Sequence, residues 1–293
     1  MGLITRANDA LKTNPPTGDV YHLTTAGSDW LWAVTAIYTL SLLIVVGLTF
    51  FAPKGEKIFH YLFTISLFVG SVAYFTMASD LGSTPILTAD NAAGTREIFY
   101  AKYINWFGGW PPVIIAVGLI SGVSWSTIVF NIGLSWIWVA SWLSGALVRT
   151  NYKWGFFVFG LFAYFILAAS LFTTGVVTAK RVGITRHYFG LGGWLVFLWL
   201  LYPIAWGLDD GGNEIKVTSG FIFFGILDVL LVPVLAFGFL ALARTWDLRA
   251  LNIYFTQYGR VAPGEFPERE GAREKTAPVE PTPVVEPTPE QAV

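Results

Sequence analysis

Seven stretches of this chain run for roughly 20 residues each with almost no charge, the length that an α-helix needs to cross a bilayer. No other feature constrains the fold as strongly, because a backbone in hydrocarbon must satisfy its own N–H and C=O groups. The runs are Asp29 to Phe51, Ile58 to Ser79, Glu97 to Leu119, Trp125 to Val148, Trp154 to Ala179, Tyr188 to Leu208 and Val217 to Ala243. A β-barrel would instead show segments of about ten residues alternating apolar and polar, and these runs are apolar on every face. Composition supports the membrane reading. Only 13% of the 293 residues are charged and 54% are hydrophobic, against a usual charged share of about 25%. A net charge of -1 gives no basic footprint for nucleic acid. The absence of cysteine excludes disulfides, thiolate metal sites and cysteine nucleophiles.

The expected organisation is an extracellular N-terminal segment (1–28), a seven-helix transmembrane domain (29–243), a basic juxtamembrane segment (244–262) and a disordered Pro/Glu-rich cytoplasmic tail (263–293) that repeats Glu-Pro-Thr-Pro. Most connections are short, which packs consecutive helices antiparallel; the longest, Asp80 to Arg96, has room for a small hairpin. Residues 1–28 contain no apolar signal-peptide core, so the first span is expected to direct insertion. Basic residues near the span ends set the orientation. With the N-terminus outside, Lys54, Lys57, Lys180, Arg181, Arg186, Arg244, Arg249 and Arg260 face the cytoplasm, against Arg96, Arg149, Lys153 and Lys216 outside. The expectation is an integral membrane protein, in the plasma membrane, with the N-terminus out and the C-terminus in.

Ionisable groups inside spans are costly and tend to face the bundle interior. Lys102 in the third span and Asp228 in the seventh stand out, and sequence alone pairs them, each as the opposite charge available to the other. Lys102, Asn105, Trp106 and Gly109 share one helix face by their i, i+3, i+4, i+7 spacing, and Trp199, Tyr202, Pro203 and Trp206 share another on the sixth span. His22, His60 and His187 sit at or beyond span ends without metal-ligand spacing, so no metal site is expected. No nucleophile motif, phosphate loop or dinucleotide glycine pattern occurs, and no enzymatic activity is expected.

The third-span sequence Tyr100-Ala101-Lys102-Tyr103-Ile104-Asn105-Trp106-Phe107-Gly108-Gly109-Trp110-Pro111, the sixth-span Trp199-x-x-Tyr202-Pro203-x-x-Trp206 and the seventh-span Asp228 together resemble the microbial rhodopsins. The second-span stretch Ser71 to Gly82 is similar to the fungal opsin-related proteins of that family, heat-shock membrane proteins among them. The resemblance implies an all-α seven-helix bundle. It also implies a retinal pocket in which a seventh-span lysine, one turn beyond an aspartate, forms a Schiff base. The aspartate position falls on Asp228, and the lysine position holds Val232, which cannot form an imine. The pumping carboxylates fall on Asn105 and Ala116, and the family arginine on Lys102. Covalent retinal is therefore not expected, and a light-driven proton pump is not either.

What remains is a vestigial chromophore pocket of Asn105, Trp106, Trp199, Tyr202, Trp206, Asp228 and Val232, which Trp110 and other aromatics could fill. One cation (at Val232) and one anion (at Asn105) have gone together, so Lys102 against Asp228 keeps the expected site neutral. The functional expectation is a retinal-free opsin-related protein that acts in the bilayer through an unidentified protein partner, in membrane stress response or regulation. An ion transporter or channel, and a sensor binding retinal or another apolar ligand without a covalent bond, are the alternatives.

Overall fold

The computed structural model describes residues 8–15, 20–53, 55–88 and 94–248. The expected tail and most of the 244–262 segment lie outside the described residues. Within them the seven runs are seven helices: Thr25–Phe51, Lys57–Ala78, Tyr100–Ser121, Trp125–Ala146, Lys153–Val182, Thr185–Gly211 and Val217–Ala243. Local chemistry sets several ends. Thr24 caps the first span, its hydroxyl accepting from the Gly27 N–H at 3.2 Å, and Ser124 caps the fourth by accepting from the Thr127 N–H at 3.3 Å. The third span stops at Gly122, whose φ of 73° is a left-handed conformation open to glycine at little cost.

The third span is the central one, with 72% of its apolar window buried against 33% for the first. Its buried side contacts the second, fourth and sixth spans, and the bundle's outward faces present exposed Leu43, Phe68, Phe75, Phe159, Phe162 and Phe197. Such an apolar exterior is stable only against lipid.

Two departures from the sequence reading position the site. Glu97 does not begin the third span; it lies in a strand. Three short strands, β1 (Val20–Tyr21), β2 (Ser83–Leu87) and β3 (Thr95–Phe99), form a sheet in the order β1-β3-β2. β2 and β3 make the antiparallel hairpin expected between Asp80 and Arg96, with Ser83 opposite Phe99 and Leu87 opposite Thr95. β1 pairs in parallel with β3, a contribution of the N-terminal segment that its sequence did not signal. β3 leads directly into the third span at Tyr100 and so delivers Arg96 to the bundle. The second departure is in the sixth span, which does not stop at Leu208 but continues through a π turn, Gly207–Gly211, that buries Asp209 and Asp210.

Candidate functional site

Two polar clusters are buried between the third, sixth and seventh spans. The first is ionic. Lys102 Nζ lies 2.6 Å from Asp210 Oδ2 and 3.0 Å from Asp209 Oδ2, while Arg96 donates through Nη2 to Asp209 Oδ1 and through Nη1 to the Ile215 carbonyl at 2.7 Å. Tyr103 donates its hydroxyl proton to Asp210 and accepts from Trp206 Nε1 at 2.8 Å. Phe224 covers the ammonium, its ring centroid 4.5 Å from Nζ. Two cations and two carboxylates cancel, as a site with 3–5% residue exposure requires. Consecutive residues on an α-helix diverge; the π turn widens the helix so that both aspartates reach one lysine. Gly220 in the seventh span makes room, since a Cβ there would sit 2.3 Å from Asp209 Oδ1.

The expected Lys102–Asp228 pair is therefore corrected. Lys102 is neutralised by Asp209 and Asp210, and among the described residues no ion pair joins it to Asp228. The neutrality argument fails with it, because it counted Asp228 as the partner of Lys102. The pairing was misassigned because Asp209-Asp210, followed by Gly211-Gly212-Asn213, reads as polar loop. One signal was available: positions 199, 202, 206, 209 and 210 continue a single helical face, so the aromatic stripe ends in the two carboxylates.

The second cluster surrounds Asp228. Tyr74 and Tyr202 donate hydroxyl protons to its carboxylate, the first at 2.6 Å, and Asn105 Nδ2 and Trp106 Nε1 donate at 3.1 Å. Every one of these donors is uncharged. The Asp228 backbone is fixed as well. Pro233, in the π turn Leu230–Val234, has no N–H to return to the preceding turn, and the Tyr38 hydroxyl donates to the Asp228 carbonyl at 2.8 Å.

The aromatic residues divide between these clusters. Trp110 occupies the middle: its ring stacks on Trp106 at 5.6 Å between centroids and meets Trp138 at 4.8 Å, Trp199 at 5.4 Å and Tyr202 at 5.4 Å. These are contact separations for aromatic rings, so Trp110 fills the space between Trp106 and Trp199. Of the expected pocket residues, Asn105, Trp106, Tyr202 and Asp228 come together, and Trp199 joins them through Trp110. Trp206 does not; it packs with Trp142, Phe157 and Tyr103 beside the ionic cluster. Val232 is buried in the π turn beyond Asp228.

These features define an integral membrane protein of the seven-helix rhodopsin class. The chain belongs to the bacteriorhodopsin-like family, whose sequence model, described as "Bacteriorhodopsin-like protein", matches residues 25–248. It is 42% identical to Protein FDD123 of Trametes versicolor over 84% of this chain and 85% of that protein. It is 41% identical to the opsin-like protein carO of Fusarium fujikuroi (85% and 84% covered) and 33% identical to the 30 kDa heat shock protein of Saccharomyces cerevisiae (84% and 81% covered). Among solved structures it is similar to the light-driven proton pump rhodopsin CsR of Coccomyxa subellipsoidea, with a TM-score of 0.73 and 27% identity, covering 76% of this chain and 99% of that one.

Proposed function

We propose that this chain is a retinal-free, opsin-related membrane protein that acts through protein partners in membrane stress response or regulation, and not as a light-driven pump. The observation that carries the reading is the centre of the bundle. The residues there do not fit a covalently held retinal: Val232 supplies no amine, the buried ammonium of Lys102 is held by two carboxylates, and the Trp110 indole fills the space between Trp106 and Trp199. The protein named for heat shock among its relatives supports the stress reading. The basic-residue asymmetry supports a plasma-membrane orientation with the N-terminus outside.

Proton conduction along the family's route is disfavoured by what lies beyond Asp228. Buried side chains that follow include Val113, Ala116, Val117 and Ile120 on the third span and Leu231, Val232, Leu235, Ala236 and Phe239 on the seventh, none of which can pass a proton, and the next buried hydroxyl on the third span is Ser121 at its end. The test is optical. Purified protein mixed with all-trans retinal should show no red-shifted band and no borohydride-trappable adduct, whereas Val232→Lys combined with Trp110→Thr should gain one. A coloured, trappable product from the unmodified chain would overturn the proposal. Crosslinking in stressed membranes should recover a protein partner at stoichiometric yield, and its absence would remove the regulatory half of the reading.

A further inference from the structure

A third polar site lies at the opposite end of the bundle from the ionic cluster, where the first span ends, the second begins and the seventh ends. A cavity of about 460 Å³ is lined there by Leu48, Phe51, Pro53, Glu56, His60 and Arg244, within the roughly 300–1,000 Å³ range of small-ligand sites. Its polar groups differ in kind. His60 is 4% exposed, and its Nδ1 lies 3.2 Å from the Glu56 carbonyl oxygen. A carbonyl can only accept, so Nδ1 carries the proton, and in that tautomer Nε2 is the acceptor nitrogen. The Glu56 carboxylate is a second acceptor, and the Arg244 guanidinium is a donor. Among the described residues no ion pair joins Glu56 to Arg244, so both charges line the cavity without closing on each other. The outer wall is apolar: Phe51 is 88% exposed on the surface that faces lipid.

The geometry points to a phospholipid with a primary ammonium in its headgroup, phosphatidylethanolamine, as the occupant. Charge complementarity selects it. Among the described lining residues, one cation and one anion match a zwitterion: the phosphodiester accepts from Arg244, and the ammonium donates to Glu56 and to His60 Nε2. The acyl chains continue along Leu48 and Phe51. A choline headgroup has no N–H for either acceptor, a glycerol headgroup has no cation for Glu56, and a serine headgroup brings a carboxylate against it. The inference concerns a different part of the molecule from the retinal-free reading and stands or falls separately.

The experiment uses the full chain in nanodiscs containing equal amounts of phosphatidylethanolamine, phosphatidylcholine, phosphatidylglycerol and phosphatidylserine, with retained lipid counted by native mass spectrometry. Phosphatidylethanolamine should be retained about tenfold over the other three, the scale of one charge-assisted hydrogen bond. Glu56→Gln should lower its retention toward the phosphatidylcholine level while leaving phosphatidylcholine unchanged, and Arg244→Gln should lower retention of all four. Helicity by circular dichroism screens the variants for folding. Equal retention by the unmodified chain overturns the proposal without recourse to any variant, as does a preference that both substitutions leave intact. Soluble phosphoethanolamine should compete only weakly; if it displaces the lipid at comparable concentration, the site reads a free metabolite and the lipid assignment is wrong.

Discussion

The two buried polar clusters solve one problem in different ways. Around Lys102, carboxylates are kept in the membrane by cations, four charges linked in a chain from Arg96 through Asp209 and Lys102 to Asp210. Around Asp228, a single carboxylate is kept by four uncharged donors and no cation. The first arrangement depends on every member, because removing one charge strands its partner in low dielectric. The second is distributed, so that each donor holds only part of the carboxylate and losing one leaves the rest. Stability should therefore depend steeply on the ionic cluster and shallowly on the Asp228 cluster.

The largest effect is expected at Lys102. Lys102→Met leaves two adjacent carboxylates with Arg96 alone and should cost about 3–5 kcal/mol, read as a lowered unfolding temperature in detergent. Adding Asp210→Asn should recover much of that loss. Adding Asp228→Asn should recover none, the two effects summing to within about 0.5 kcal/mol. Recovery by Asp228→Asn and not by Asp210→Asn would reverse the comparison.

Gly220→Ala approaches the same cluster from the seventh span. Its new methyl would sit 2.3 Å from Asp209 Oδ1, and a displaced carboxylate loses Arg96 or Lys102. Despite the gain in helix propensity, a net loss of about 1–3 kcal/mol is expected. An unchanged melting temperature would show that the cluster tolerates more motion than its contacts imply.

Asp228→Asn should cost about 1–3 kcal/mol, because the new amide N–H₂ faces hydroxyls that must reverse and an indole N–H that cannot. Single losses of Tyr74 or Asn105 should be milder still. A loss at Asp228 larger than that at Lys102 would mean that the neutral donors, and not the ion pairs, carry this end of the bundle.

How far this contrast was legible in the sequence depends on backbone regularity. Lys102, Asn105 and Trp106 were placed on one face correctly because the third span is a regular α-helix there. Asp209 and Asp210 were lost because a π turn has no compositional mark beyond the glycines around it, and those glycines read as a loop. Arg96 was taken for an orientation signal because its reach into the bundle depends on β3, which pairs with a two-residue strand from the distant N-terminal segment. Trp110 was visible as a bulky residue one turn beyond Trp106; its position between Trp106 and Trp199 depends on how the spans cross, which periodicity alone does not fix.

The smallest effect is expected outside the membrane, and it tests whether a carboxylate with neither kind of support behaves differently from both. Asp80 follows the second span, is 6% exposed, and has no hydrogen-bond partner for either carboxylate oxygen among the described residues. Burial first and the nearby Glu97 carboxylate second push its pKa up to about 6, with His22 pulling the other way. The folded state then binds a proton more tightly than the unfolded state, where the group titrates near its ordinary value. Stability falls as pH rises through the window between the two values, from about 4 to about 6, and below that window the group contributes no dependence. Asp80→Asn holds the side chain neutral, and asparagine accepts the residue's φ of 58° readily. Other carboxylates titrate in the same range, so the informative quantity is the difference between the two proteins. Their melting temperatures should coincide near pH 4 and separate by pH 7 in favour of the variant, by about 1 kcal/mol or less after screening by solvent. If the variant is instead the less stable protein at pH 7, the Asp80 carboxylate has support in the folded state that outweighs its burial, and it belongs with the ion-paired cluster and not apart from it.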